Sequence, residues 1–198
     1  MKFKVLATLV LVVVCASAIA QEQKKEMSAD QKAQMEAMMK AMMPGEQHKL
    51  LNNMVGTFDL KVTAWMMPGE PPMNSTGTSV NTWIMGGRYV EQKTSGSFMG
   101  QPFNGLGYTG YDNLKKTYWS SWMDNMGTGI MTSTGATTDN GKTWKFSGTE
   151  PDPMTGKDTP FEDHITVVDK DHYTFDMWSP GPDGKMMKVM EIAYTRKP

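Results

Sequence analysis

The sequence predicts an all-β fold: an antiparallel up-and-down barrel of about nine or ten strands, preceded by an N-terminal amphipathic helix. From Val55 onward, apolar and polar residues alternate with the period of two that is typical of strands. Turn residues recur about every ten positions, and no stretch between them is long enough for a helical crossover. A meander of this length most easily avoids exposed edges by closing into a barrel.

Residues 1–20 have the three parts of a secretory signal peptide. A start with two lysines is followed by an apolar run over 5–14 and by the small residues of a cleavage site at Ala18–Ala20. The apolar run is too short to cross the ~30 Å hydrocarbon core of a bilayer as a helix. We therefore expect cleavage after Ala20 and a periplasmic or secreted protein without stable membrane insertion.

The composition limits the classes of function. The chain has 20 basic and 21 acidic side chains, a balance that argues against a nucleic-acid binder or a polybasic membrane-surface protein. Leu and Ile are scarce, but 21 Met and 6 Trp supply apolar mass for a core, which argues against disorder. Cys15 is the only cysteine and leaves with the signal peptide, so we expect neither disulfides nor thiol chemistry. A lipid anchor on Cys15 is the alternative, disfavoured by Val14 where bacterial lipoprotein signals normally have Gly, Ala or Ser.

A methionine-rich helix is predicted before the barrel. Ser28 and Gln31 have the spacing of a capping box, and Pro44–Gly45 ends the helix. The segments are therefore a signal peptide over 1–20, a helical segment over 21–53 and the barrel over 54–198. We expect one face of the helix to pack against the barrel; it consists of Met35, Met38, Met39, Met42 and Met43.

The first strand shows the alternation most clearly, because apolar residues from Phe58 to Ala64 stand at every second position. Asp, Asn, Gly and Pro dominate the connections between the later runs. Further strands are predicted at about 75–85, 87–98, 103–111, 116–123, 128–134, 143–149, 160–168, 172–178 and 186–196.

Several short motifs occur in a fixed order: Pro44–His48, Gly56–Phe58, Gly86–Arg88, Phe103–Gly105 with Gly107, Gly110–Asp112, Trp122–Asp124, Asp152–Pro153 with Gly156, and Glu191–Arg196. Together they resemble the bacterial DUF1579 proteins, a family of uncharacterised function grouped with the lipocalin-like (calycin) barrels. The resemblance covers about residues 30–196. It implies a lipocalin-like barrel and supplies no catalytic residues.

Calycin-like barrels place a last-strand Arg across the aromatic ring of a first-strand Gly-x-Trp, which by resemblance corresponds here to Gly56–Phe58. Only two of the 20 basic residues, Arg88 and Arg196, are arginine, which indicates a need for the planar guanidinium. We therefore expect Arg196 to stack on Phe58 and to donate to backbone carbonyls, sealing that end of the barrel.

Motifs for catalysis are lacking. The sequence has no G-x-S-x-G, no H-E-x-x-H, no phosphate-binding loop and no G-x-G-x-x-G between a strand and a helix. Three scattered histidines do not make a zinc site. Asp112 and Asp124 could pair across a barrel mouth as acid and base, although turn carboxylates more often bind backbone N–H groups. An enzyme is less favoured than a binding protein, an undetected hydrolase is a third alternative, and no cofactor is expected.

The first functional hypothesis is non-catalytic binding of a small apolar molecule inside the barrel. A closed sheet of this size can enclose one small molecule, and Trp, Tyr and Met adapt to its shape. Arg88 could anchor an acidic ligand at the mouth or form a structural ion pair. The candidate ligand-binding residues are Trp65, Trp83, Arg88, Tyr111, Trp119 and Trp122.

The alternative is a periplasmic protein that binds Cu(I) or handles oxidants. Thioethers are soft ligands for Cu(I) and are reversibly oxidised. Against it, Met replaces Leu throughout the chain, including strand positions such as Met177 and Met190. His48 would join the metal ligands or, alternatively, cap and pack at the junction of helix and strand. The candidate thioether ligands are Met35, Met38, Met39, Met42 and Met43. For either hypothesis, the sequence leaves the oligomeric state open.

Overall fold

The computed structural model describes residues 27–67, 69–152 and 155–198. The signal peptide expected over 1–20 lies outside the described residues. The chain divides into two compact units after Met42, so the segment from Met43 to the first strand belongs to the barrel unit. No helix in the described part of the chain is both long and apolar enough to span a bilayer.

The N-terminal helix, α1, spans Ala29–Met42. The capping box is present: the Ser28 amide donates to Gln31 Oε1 at 2.9 Å, and the Gln31 amide donates to Ser28 Oγ at 3.2 Å. None of the α1 residues is buried. The five methionines from Met35 to Met43 are exposed by 45 to 59%. Packing of the methionine face on the barrel therefore stays a prediction.

Ten antiparallel strands close into an up-and-down barrel, which confirms the predicted fold class. Each strand pairs with its neighbours in sequence, and β1 pairs with β10. The strands are β1 Gly56–Ala64, β2 Met73–Ile84, β3 Tyr89–Phe98, β4 Gln101–Asp112, β5 Thr117–Asp124, β6 Met131–Ala136, β7 Thr143–Pro151, β8 Asp158–Val167, β9 His172–Pro180 and β10 Met186–Arg196.

Strand register determines which side chains face the interior. The even-numbered residues from Phe58 to Ala64 point inward, and their partners on β10 are the even-numbered residues from Met190 to Arg196. The same alternation continues around the barrel, so each strand contributes every second side chain to the lumen.

One end of the barrel is covered by a plug, which consists of α2 (Glu46–Lys49) and a 3-10 helix (Leu50–Met54). Leu51 is fully buried in the core at this end. Asn81 Nδ2 donates to the Met54 carbonyl at 2.7 Å, which ties the plug to β2. The opposite end, here called the mouth, carries the β1–β2, β3–β4, β5–β6, β7–β8 and β9–β10 connections.

Candidate functional site: the barrel lumen

A layer of hydrogen-bonded polar side chains crosses the lumen above the plug. Ser79 Oγ donates to Asn81 Oδ1 at 2.6 Å, and Asn81 Nδ2 donates to the Tyr173 hydroxyl at 3.2 Å. Gln92 Nε2 donates to the Tyr194 hydroxyl at 3.1 Å. Burial raises the pKa of Tyr194 to about 12, so this phenol stays neutral at physiological pH. We call these five residues the polar layer.

The half of the lumen between the polar layer and the mouth has mostly apolar walls. Phe175 and Ile192 point inward near the middle of their strands, yet both are only half-buried, as is Gln92 in the polar layer. These side chains are therefore partly accessible to solvent, although they face the interior. Further inward side chains here are Met73, Met131, Phe161, Met177 and Met190.

Asp163 is a carboxylate among these apolar side chains. It points inward on β8, where its register partners are Phe146 on β7 and Met177 on β9. Its Oδ1 is buried and has no hydrogen-bond partner among the described residues. Burial, with a smaller effect of the Glu150 charge, raises the pKa of Asp163 to about 7. The group can therefore gain or lose a proton near neutral pH.

Glu150 is another interior carboxylate, and Asp124 also lies on the inward face of β5, at the mouth. Glu150 shares the inward face of β7 with Phe146, near the mouth end of that strand. Burial raises its pKa above the usual range. The four lysines within the described strands point outward, as Lys93 does where it pairs with Glu91 at 2.6 Å. The mouth half of the lumen thus holds negative charge without a basic partner in the described part of the chain.

Arg196 seals the plugged end, and the contact predicted for it is present. Its guanidinium lies 4.6 Å from the centre of the Phe58 ring. Nη1 donates to the Val55 carbonyl at 2.6 Å and Nη2 to the Asn53 carbonyl at 3.2 Å. A Cβ on Gly56, whose φ is +140°, would collide with Nη1. The close approach of the guanidinium therefore requires glycine at that position.

Of the six candidate ligand-binding residues, Trp122 faces the mouth half of the lumen. Its ring stacks on Phe103 at 6.4 Å and covers Gly105, which leaves the ring its space. Its Nε1 donates to Asp124 Oδ2 at 2.9 Å. Trp119, three residues earlier, points outward and contacts Tyr89 at 5.5 Å.

Of the other four candidates, three lie at the plugged end and Trp65 lies at the mouth end of β1. Trp83 and Tyr111 face inward at the plugged end, where Trp83 Nε1 donates to Asn52 Oδ1 at 2.9 Å. Trp65 follows β1 directly, and its amide donates to the Val189 carbonyl at 2.9 Å. Arg88 lies in the β2–β3 connection at the plugged end, with Nη1 donating to the Met85 carbonyl at 3.1 Å. The expectation of Arg88 as an anchor at the mouth was wrong, because the connection between β2 and β3 lies at the plugged end.

His48 is engaged in the plug. Its Nδ1 accepts the Gly45 amide at 3.1 Å, and its ring lies edge-on to Tyr111 at 5.8 Å. Burial, followed by the nearby Arg88 charge, lowers the pKa of His48. Within the described ranges, no group of three or more His, Cys, Asp or Glu side chains is arranged to hold a metal ion.

Asp112 and Asp124 do not pair, because they lie at opposite ends of the barrel. Asp112 Oδ1 accepts the Leu114 amide at 2.8 Å in the β4–β5 turn at the plugged end. Asp124 ends β5 at the mouth, where its Oδ1 accepts the Met126 amide at 2.9 Å. The acid–base pair considered from the sequence is therefore not formed.

Two concave regions stand out on the surface. The larger, of about 740 Å³, is an open groove on the outside of β6–β8, lined by threonines together with side chains such as Lys145 and His164. The smaller, of about 150 Å³, lies at the mouth beside β1, β2 and the β3–β4 turn, and it includes inward Val62 and Met73. These two side chains also face the mouth half of the lumen.

A family description, "Protein of unknown function (DUF1579)", matches residues 43–196. The chain belongs to the DUF1579 family. Among solved structures, Rv2717c from M. tuberculosis is similar, with a TM-score of 0.56 and 13% identity over 79% of this chain and 100% of that chain. At this identity, the likeness shows the fold alone.

Two redesigned β-barrels also match this DUF1579 chain. One, b11L5F_LGL, has a TM-score of 0.40 and 16% identity over 77% of this chain and 96% of its own. The other, mFAP1 bound to DFHBI, has a TM-score of 0.39 and 16% identity over 77% of this chain and 100% of its own. No curated protein matches the chain.

Proposed function

We propose that this DUF1579 protein binds a small apolar molecule, without catalysis, in the mouth half of its lumen. The observation that supports the proposal most is the partial burial of inward side chains as deep as Phe175 and Ile192. Aromatic rings and methionine thioethers around a concave space form the usual lining of such sites. The plug and the Arg196 contact close the other end, so a ligand would enter and leave by the mouth.

A neutral fluorescent probe, N-phenyl-1-naphthylamine, tests the proposal. We expect the probe to brighten on binding and to accept energy from Trp122. Trp122→Phe should remove most of the change in tryptophan emission, whereas Trp119→Phe, its outward-facing control, should not. Failure of the probe to bind, or equal effects of the two substitutions, would contradict binding in the lumen.

We further propose that the protein is exported, on the sequence pattern of residues 1–20 alone. Mass spectrometry of the protein from an expressing bacterium should show an N-terminus at Gln21 and no lipid. An acylated N-terminus at Cys15 would replace this proposal with membrane anchoring.

A further inference from the structure

The charge inside the lumen specifies more than an apolar ligand. We propose that the lumen selects apolar molecules that carry a protonated amine, and that Asp163 pairs with this amine. The inference rests on the proposed function, because it concerns the same cavity. It names the class of ligand, an organic cation with an apolar tail.

Asp163 lies in apolar surroundings inside the lumen. Its neighbours on the inward face of β8 are Phe161 and Ile165, and its register partners on the flanking strands are Phe146 and Met177. A carboxylate in such surroundings is costly unless it is paired or hydrogen-bonded. Oδ1 is buried and lacks a hydrogen-bond partner in the described part of the chain, so the protein leaves this acceptor unsatisfied.

The charged groups near Asp163 favour a cation over an anion. Glu150 on β7 contributes a further negative charge that acts on Asp163, and the Asp163 charge acts in turn on the neutral phenol of Tyr194 on β10. Among the basic side chains of the described strands, Arg196 faces inward, and its guanidinium donates to backbone carbonyls at the sealed end. A cation entering the mouth half gains attraction from two carboxylates, whereas a carboxylate ligand meets repulsion.

A matching ligand also needs an apolar part. The walls between Asp163 and the mouth are mostly methionine and aromatic side chains, so the part of the ligand that lies there must be apolar. A bare metal ion or a small polar cation would leave these walls without contacts. An amine on a hydrocarbon or aromatic body can pair with the carboxylate and make apolar contacts with the walls.

The test uses displacement of N-phenyl-1-naphthylamine from the purified protein by three matched compounds, dodecylamine, dodecanol and dodecanoate, below their micellar concentrations. At pH 8, dodecylamine should displace the probe at concentrations at least about tenfold lower than dodecanoate, with dodecanol between them. Asp163→Asn should remove most of the advantage of the amine over the alcohol and leave the affinity for dodecanol unchanged. Glu162→Gln, the neighbouring carboxylate on the outer face of β8, is the control and should change neither.

A second measurement needs no variant. Lowering the pH from 8 to 5.5 should reduce the preference for dodecylamine over dodecanol, because Asp163 takes up a proton. If no dodecyl compound and no probe binds, the proposed function fails. If the probe and dodecanol bind but dodecanoate equals or exceeds dodecylamine, or Asp163→Asn leaves the preference intact, the amine inference is overturned and the proposed function stands.

Discussion

Arg196 joins three segments that are distant in sequence. Its guanidinium donates to the Asn53 and Val55 carbonyls at the end of the 3-10 helix. Its Nε donates to the Lys170 carbonyl in the β8–β9 connection at 3.1 Å. These charge-assisted bonds lie at the point where β1 meets β10 and closes the barrel. The side chain therefore stabilises both the closure and the plug.

We predict that Arg196→Lys lowers the free energy of unfolding by about 1 to 3 kcal/mol, because an ammonium cannot reproduce the fork of donors or the stacking on Phe58. Urea denaturation measures the change. Arg88→Lys, at an exposed turn, is the matched control and should cost less. If the two substitutions lowered the free energy of unfolding equally, the stabilising role proposed for Arg196 would be contradicted.

Asp163 should make stability depend on pH. Its pKa in the folded protein, about 7, lies above the ordinary 3.8, so the folded state binds the proton more tightly than the unfolded state does. The free energy of unfolding that this tighter proton binding contributes is therefore fully present below about pH 4. It is lost as the pH rises to about 7. Asp163→Asn should gain stability relative to the natural protein over this window, by at most about 4 kcal/mol. Thermal unfolding from pH 4 to 8 checks this, and parallel curves for the two proteins would contradict it.

Among the elements, the strands and the helical character of residues 46–53 could be predicted from the sequence, whereas the place of these residues as a plug at one end of the barrel could not. Alternation such as that from Phe58 to Ala64 predicts a strand with one buried face. Each of the ten predicted runs overlaps an observed strand. Glu46–Met54 has no comparable periodicity, because its residues are fixed by contacts with distant strands, such as Asn81 with Met54. The compact unit that holds the barrel begins at Met43.

The plug can be tested through its buried leucine. Leu51→Ala removes a fully buried side chain from the core at the sealed end and should destabilise the protein by about 2 to 5 kcal/mol. Leu114→Ala is the control, because Leu114 is 81% exposed in the β4–β5 turn. Its expected effect is within about 0.5 kcal/mol. A small loss for Leu51→Ala by calorimetry would show that the plug contributes little to the fold.

At the scale of the whole molecule, closure divides the lumen into a sealed end and a mouth, and this division decides which residues could form a site. The sequence indicates that Trp119 and Trp122 face opposite sides of a strand, but not which of them faces inward. Asp163 was missed although a signal existed: it stands at an apolar position of the alternation Phe161, Asp163, Ile165, Val167. A carboxylate on an otherwise apolar strand face is the pattern that would have identified it.

The most direct test of ligand binding in the lumen uses the methionines themselves. Protein labelled with ¹³C at the methionine ε-methyl groups would be titrated with dodecanol and followed by NMR. The account predicts shifts for the inward methionines of the mouth half, Met73, Met131, Met177 and Met190, and none for Met85, which is 70% exposed in the β2–β3 turn. Shifts confined to the α1 methionines, or no shifts at all, would contradict it.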